Sequence, residues 1–204
     1  MYMKIQHQPA SYRNSPPSRG RGFTLVELVT TLAVAGILVS LAVPSFSQFV
    51  KNNRLITQAN DFVTALNVAR SEAIRRGNRV TLCKSSDQVS CAGAGGWDQG
   101  WIIFVDVNDD GIVSNPATDV FRVHGGLGGN TTLKGDAVLA DYVSYVSSGA
   151  TQQIGGTPSD TQSGMLVLCD DRGFISNAKG IQISATGRVS AASATSTAAT
   201  SCTP

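Results

Sequence analysis

Between Phe23 and Val43 the chain is apolar at almost every position, and Leu28 to Val43 carries no charged residue. The run is 21 residues long. As a helix rising ~1.5 Å per residue it spans about 32 Å, close to the hydrocarbon thickness of a bilayer. Its one charge is Glu27. Residues 1–22 before it are polar and hold Lys4, Arg13, Arg19 and Arg21 but no acid, so the N-terminus is expected in the cytoplasm. Beyond Pro44 the helical period continues in a different form. Leu55, Ala59, Phe62, Leu66, Ala69 and Ala73 recur at three- and four-residue steps, with Val63, Val68 and Ile74 widening the stripe. Asn60, Asp61, Asn67, Arg70 and Arg75 fall largely off it. Gly77 closes the pattern after Arg75 and Arg76. The expectation is one long helix from about Phe23 to Arg76, kinked at Pro44. Its first half is apolar all round and its second half amphipathic.

After Gly77 the signal changes to short apolar or alternating runs at 79–84, 101–106, 120–124, 141–146, 165–169 and 180–185, separated by Gly, Asn, Asp and Ser. One helix followed by many strands predicts an α+β fold, with the amphipathic half of the helix packed on an antiparallel sheet. The stretch 190–200 is rich in Ser, Thr and Ala and is expected to be extended or mobile.

Composition sharpens this picture in two ways. The formal net charge is +2, yet without residues 1–22 the chain holds 12 basic against 14 acidic residues. The rest of the chain is therefore no polycation, which weakens any argument from composition for nucleic-acid binding. The four cysteines, Cys83, Cys91, Cys169 and Cys202, form no CxxC pair. An even number beyond a membrane segment suits two disulfides in an oxidising compartment. Of the three possible pairings, Cys83–Cys91 and Cys169–Cys202 each close a plausible loop; free buried thiols are the alternative. Zinc fits poorly, because His124 is the only histidine outside residues 1–22 and the cysteine spacing does not match a zinc site.

The stretch Gly22-Phe23-Thr24-Leu25-Val26-Glu27 resembles the processing site of type IV pilins and type II secretion pseudopilins. The resemblance implies cleavage after Gly22 by a prepilin peptidase and N-methylation of Phe23. It also implies that Glu27 neutralises the N-terminal amine of an adjacent subunit, and that Pro44 kinks the helix. On the residues alone, Glu27 simply reaching the headgroups is the plainer alternative. A secretory signal peptide cut near 42–47, or an uncleaved anchor, are the competing readings of the apolar run. Residues 59–83, 96–106 and 181–189 resemble the GspH/FimT family of minor pilins and pseudopilins. That resemblance covers nearly the whole chain beyond the leader and implies a pilin-like head of two small β-sheets on the C-terminal half of the helix. The expected organisation is a cytoplasmic leader at 1–22, a transmembrane and filament-core helix at 23–50, and a periplasmic head at 51–204. The expected partners are the inner membrane and other pilins or pseudopilins.

Smaller features carry competing readings. Asp106-Val107-Asn108-Asp109-Asp110-Gly111 matches the first half of a calcium loop, with Asp106, Asn108 and Asp110 at ligand positions. The twelfth position is Ala117 instead of Glu, and an Asp/Asn/Gly hairpin turn is the plainer reading of the stretch. Arg70, Arg75, Arg76 and Arg79 cluster about the helix end, where they complement its carbonyls or contact a phosphate backbone. Some FimT-type minor pilins bind DNA through a motif resembling Gly-Arg-x-Arg. Here Gly187-Arg188-Val189-Ser190 lacks the second arginine, leaving Arg188 and Lys179 as the DNA-contact candidates. Gly125 to Gly129 lacks the Lys-Ser/Thr of a phosphate loop and reads as a flexible connection. Trp97 and Trp101 read as core. No nucleophile–base pair stands in the sequence pattern, so an enzyme is not expected. The GspH/FimT resemblance implies a structural subunit in a tip or priming complex, with a DNA-binding minor pilin as the alternative. Type IV pilus and type II secretion membership both stay open.

Overall fold

The computed structural model describes residues 22–173, 177–194 and 202. The expected leader, apart from Gly22, lies outside the described residues, as does most of the Ser/Thr/Ala-rich tail. Helix α1 runs Leu25–Arg76. It starts after Thr24, whose hydroxyl accepts the Glu27 N–H at 3.2 Å. It ends where Gly77, at φ +68°, donates its N–H to the Ala73 carbonyl at 3.0 Å. That left-handed cap is cheap only for glycine. Pro44 stands inside α1, where it removes the N–H that would bond the Ser40 carbonyl. The chain divides into two compact units directly after it, the first ending at Ser45 and the second starting at Phe46.

The second unit holds eight strands in two antiparallel sheets. The first sheet has the order β3-β2-β1-β5, from β1 (Val80–Lys84), β2 (Trp101–Val105), β3 (Val120–His124) and β5 (Tyr142–Tyr145). The second has the order β4-β6-β7-β8, from β4 (Thr132–Gly135), β6 (Gly164–Cys169), β7 (Lys179–Ile183) and β8 (Val189–Ser193). Period-2 alternation turns Val80, Leu82, Trp101, Ile103, Val143 and Tyr145 of the first sheet inward. Leu133, Leu166, Leu168, Ile181 and Ile183 do the same from the second. The stripe Leu55, Phe62, Ala65, Leu66, Ala69 and Ala73 of α1 fills the space between them. Phe62 meets both Trp97 and Trp101 edge-on, at 5.2 and 5.0 Å between centroids. The Trp97 indole N–H donates to the Leu139 carbonyl at 2.9 Å. Both tryptophans are core, as expected. On the other face of the first sheet, Cys83, Ile102 and Phe104 form a smaller cluster under Cys91, Val113 and Val120.

Two strands were not anticipated. β4 reads Thr-Leu-Lys-Gly and β8 reads Val-Ser-Ala-Ala-Ser. Neither carries the run of large apolar residues that marks a strand. They form because β6 and β7 offer them open edges. The glycine-rich stretch at 125–129 is fastened instead of flexible: Gly128 O accepts from Gln58 Nε2 and Thr131 Oγ1, each at 3.0 Å, and Leu127 N–H donates to Asp98 O at 2.7 Å.

Candidate functional site

Every residue from Gly22 to Val50 is exposed. Phe23 keeps 80% of its surface and Leu25 78%. This stretch includes a helix segment long and apolar enough to cross a membrane. Three of its hydroxyls are satisfied locally: Thr30, Thr31 and Ser40 donate to the carbonyls of Glu27, Leu28 and Ile37. That is the economy required where water is absent. Thr24-Leu25-Val26-Glu27 has capping-box spacing. Placing Glu27 in the first turn also suits the helix dipole. Its carboxylate has no hydrogen-bond or ion-pair partner among the described residues.

The second unit carries a polar clasp at the base of its helix. Arg172 grips Asp170 through Nε at 3.0 and 2.9 Å and through Nη2. Its Nη1 donates to Gln48 Oε1 and Asn52 Oδ1, both at 2.9 Å. Lys51 pairs with Asp171 at 2.7 Å. Burial raises the Asp170 carboxyl, but the Arg172 hydrogen bonds outweigh it and leave the group below the usual carboxylate range. Beside the clasp Cys169 is bonded to Cys202 with 5.7 Å between Cα atoms. Cys83 is bonded to Cys91 at 5.6 Å. The clasp was not legible beforehand, because its partners lie about 120 residues apart.

The four arginines at the helix end do not make one surface. Arg75 and Arg76 both bind Glu72, at 2.5 and 2.6 Å, and hold its carboxyl at about 2. Arg76 also lies over the Phe121 ring at 4.9 Å. Arg70 donates to the carbonyls of Gly149 and Thr186, tying α1 to the turns of both sheets. Arg79 is only 7% exposed. It donates to Asp109 Oδ1, Ser144 Oγ, Gln152 O and Gln152 Oε1 at 2.8, 2.8, 3.1 and 3.1 Å.

The calcium expectation meets a different arrangement. Asp106 is buried, and its two oxygens accept the N–H groups of Asp110 and Gly111 at 3.1 and 3.0 Å. Desolvation pushes its carboxyl above the usual range. Asp110 accepts Ile112 N–H at 2.8 Å, and Asn108 donates to Ser114 at 3.3 Å. These side chains build an Asx turn, and among the described residues no group of three His, Cys, Asp or Glu side chains converges on a metal position. The DNA candidates are also apart. Lys179 opens β7, whereas Arg188 lies past its far end, about 13 Å or more along an extended strand.

The profile described as Type II transport protein GspH matches residues 58–187. The chain belongs to the GspH family. A second profile, the prokaryotic N-terminal methylation motif, matches residues 17–43. Pilin-like protein PilA1 of Thermus thermophilus is 41% identical over 90 residues, 43% of this chain and 49% of that one. The chain thus spans about half the length of that relative. The type IV narrow pilus major component PilA5 of the same organism is 33% identical over 110 residues, 53% of this chain and 90% of that one. The crystal structure of the type IV minor pilin FimU of Pseudomonas aeruginosa shares the fold. It has a TM-score of 0.55 at 21% identity, covering 76% of this chain and 99% of that one. The expected pilin-like α+β architecture is therefore the architecture of this GspH-family chain.

Within that family frame, Gly187 is fixed by packing. It sits at φ +77°, and a Cβ there would collide with the Gly149 carbonyl oxygen. Arg188 beside it is exposed, and its backbone N–H donates to Ser184 Oγ at 3.2 Å.

Proposed function

We propose that this chain is a minor pilin or pseudopilin, a structural subunit that joins a filament through residues 23–50 and presents the 51–204 head in the periplasm. On this reading a prepilin peptidase cuts after Gly22 at the inner membrane, and Phe23 becomes the N-methylated first residue. Glu27 is then matched to the amine of a neighbouring subunit, in a low-copy tip or priming complex. The supporting observation is an exposed apolar helix whose single carboxylate lacks a partner among the described residues, joined to a head that has its own complete core. A carboxylate in that setting is costly until a cation meets it.

Two measurements test the reading. Intact mass of the mature protein should correspond to a chain beginning at Phe23 plus one methyl group; a chain beginning at Ser45 or later refutes it. Glu27→Ala should abolish recovery of the protein in sheared filaments while its head keeps native tryptophan fluorescence. Incorporation equal to the parent removes the role given to Glu27.

A further inference from the structure

The two sheets expose four edge strands, β3 and β5 in one, β4 and β8 in the other. An edge strand directs alternate N–H and C=O groups outward and pairs with any extended chain unless something blocks it. Two edges are blocked by dedicated side chains. The buried Gln162 amide lies along β5, accepting Ser144 N–H at 2.8 Å and donating to Tyr142 O at 3.1 Å. On β4, Asp98 accepts the Leu133 N–H at 3.4 Å. β8 leads into residues outside those described. The outer edge of β3 has no such plug: among the described residues its backbone bonds run only to β2.

The side chains of β3 indicate what fits there. Arg122 is exposed and makes no ion pair among the described residues. Val123 beside it is 48% exposed. The His124 ring stacks on Trp101 at 3.9 Å, with Nδ1 2.6 Å from Gly125 O. A groove of about 250 Å³ lined by Asp61, Thr64, Ala65, Trp101, Arg122 and His124 runs beside the strand. A second copy of this chain is a poor partner. Antiparallel pairing centred on Arg122 sets that residue against itself, and pairing centred on Val123 sets it opposite His124. Neither register offers a carboxylate, and in the first, two arginines lie directly opposite, which destabilises a strand pair. The irregularity between Ile103 and Phe104 in the β2–β3 register leaves Arg122–His124 as the regular stretch, so docking here supplements contacts made elsewhere.

We propose that β3 is a docking strand, which accepts by strand addition an extended segment of a different filament subunit carrying Asp or Glu opposite Arg122. This rests on the filament-subunit reading. The test places a photo-crosslinking amino acid at Val123 of the full chain in cells, and separately at Leu32 in the apolar helix. Mass spectrometry then maps each adduct. The expected Val123 adduct is an acidic extended segment of another pilin-type subunit. Arg122→Glu should cut its yield about five-fold, as exchange of an attractive for a repulsive cross-strand pair implies, while Arg122→Lys preserves it. Crosslinking at Leu32 with none at Val123, a Val123 adduct to a second copy of this chain, or an Arg122→Glu yield equal to the parent each overturns the docking strand. Crosslinking at neither position overturns the filament reading and the docking strand with it.

Discussion

Replacing Arg79 by Met removes a guanidinium that organises the distal end of the head and keeps most of its aliphatic packing. The cost can be worked from its four hydrogen bonds. The Asp109 side chain is 60% exposed, so it recovers water, and that pair contributes little. Ser144 Oγ still accepts from Thr81 Oγ1 at 3.2 Å. Gln152 O and Gln152 Oε1 lose the donors they have. Each is half-buried, and an unsatisfied buried acceptor costs about 1–3 kcal/mol, so Arg79→Met should lower stability by about 2–3 kcal/mol. Urea unfolding of residues 46–204, followed by the fluorescence of the buried Trp97 and Trp101, reads this directly. That segment contains the whole hydrophobic core and both disulfides. Arg75→Met should leave stability nearly unchanged, because its ion pair with Glu72 is exposed and solvent-screened. Equal effects of the two substitutions, or an Arg79→Met protein as stable as the parent, would refute a buried structural role for Arg79.

Gly187→Ala forces a Cβ against the Gly149 carbonyl oxygen in a left-handed turn. It should lower thermal stability by about 2 kcal/mol or more, whereas Gly173→Ala, with open space around it, should show only the left-handed backbone strain of about 1–2 kcal/mol. Glu72 has its carboxyl lowered from 4.5 to about 2 by the hydrogen bonds of Arg75 and Arg76. Its stabilising contribution is complete above 4.5 and is lost as the pH falls from 4.5 towards about 2. The stability difference between parent and Glu72→Gln should therefore shrink across that window in pH-dependent unfolding; a difference that widens on acidification contradicts the pairing.

Much of this fold was legible because it rests on periodicity. The three- and four-residue steps from Leu55 to Ala73 and the alternation of Val80, Leu82, Ile103 and Val143 each mark a buried face without knowledge of its partner. What stayed hidden depends on residues distant in sequence. β8 is a strand only because β7 is beside it. The Asp106 turn looked like half a cation loop because the backbone N–H groups that occupy its oxygens are invisible in a list of residue types. Arg79 looked like one more surface charge of the helix end. Its position after Gly77, at the mouth of β1, turns it inward towards Ser144 and Gln152. The Arg172 clasp shows the same limit, since nothing local in Asp170-Asp171-Arg172 points to Gln48, Lys51 or Asn52.

The exposed stretch before Lys51 carries an energetic cost that can be estimated. Fifteen large apolar side chains between Phe23 and Val50 stand open. Burying each is worth about 1.5–3 kcal/mol, so their exposure to water represents on the order of 20–45 kcal/mol. A domain of ordinary stability holds about 5–15 kcal/mol. That exceeds what a whole domain holds, so an apolar surrounding for this stretch is strongly favoured over water. Lipid alone satisfies the side chains but leaves Glu27 at a cost of about 2.5–3.5 kcal/mol if it is carried to mid-membrane depth. Stacked copies of like helices satisfy both needs, provided that a cation lies at the level of Glu27. On the proposed reading the cut after Gly22 creates that cation, the new amine of Phe23, so processing and assembly become one requirement. An uncut chain, in which Phe23 has no free amine, should stay in the membrane and fail to enter filaments. Gly22→Ala, if it blocks cleavage, should reproduce the assembly defect of Glu27→Ala; uncut protein recovered in filaments would break the link.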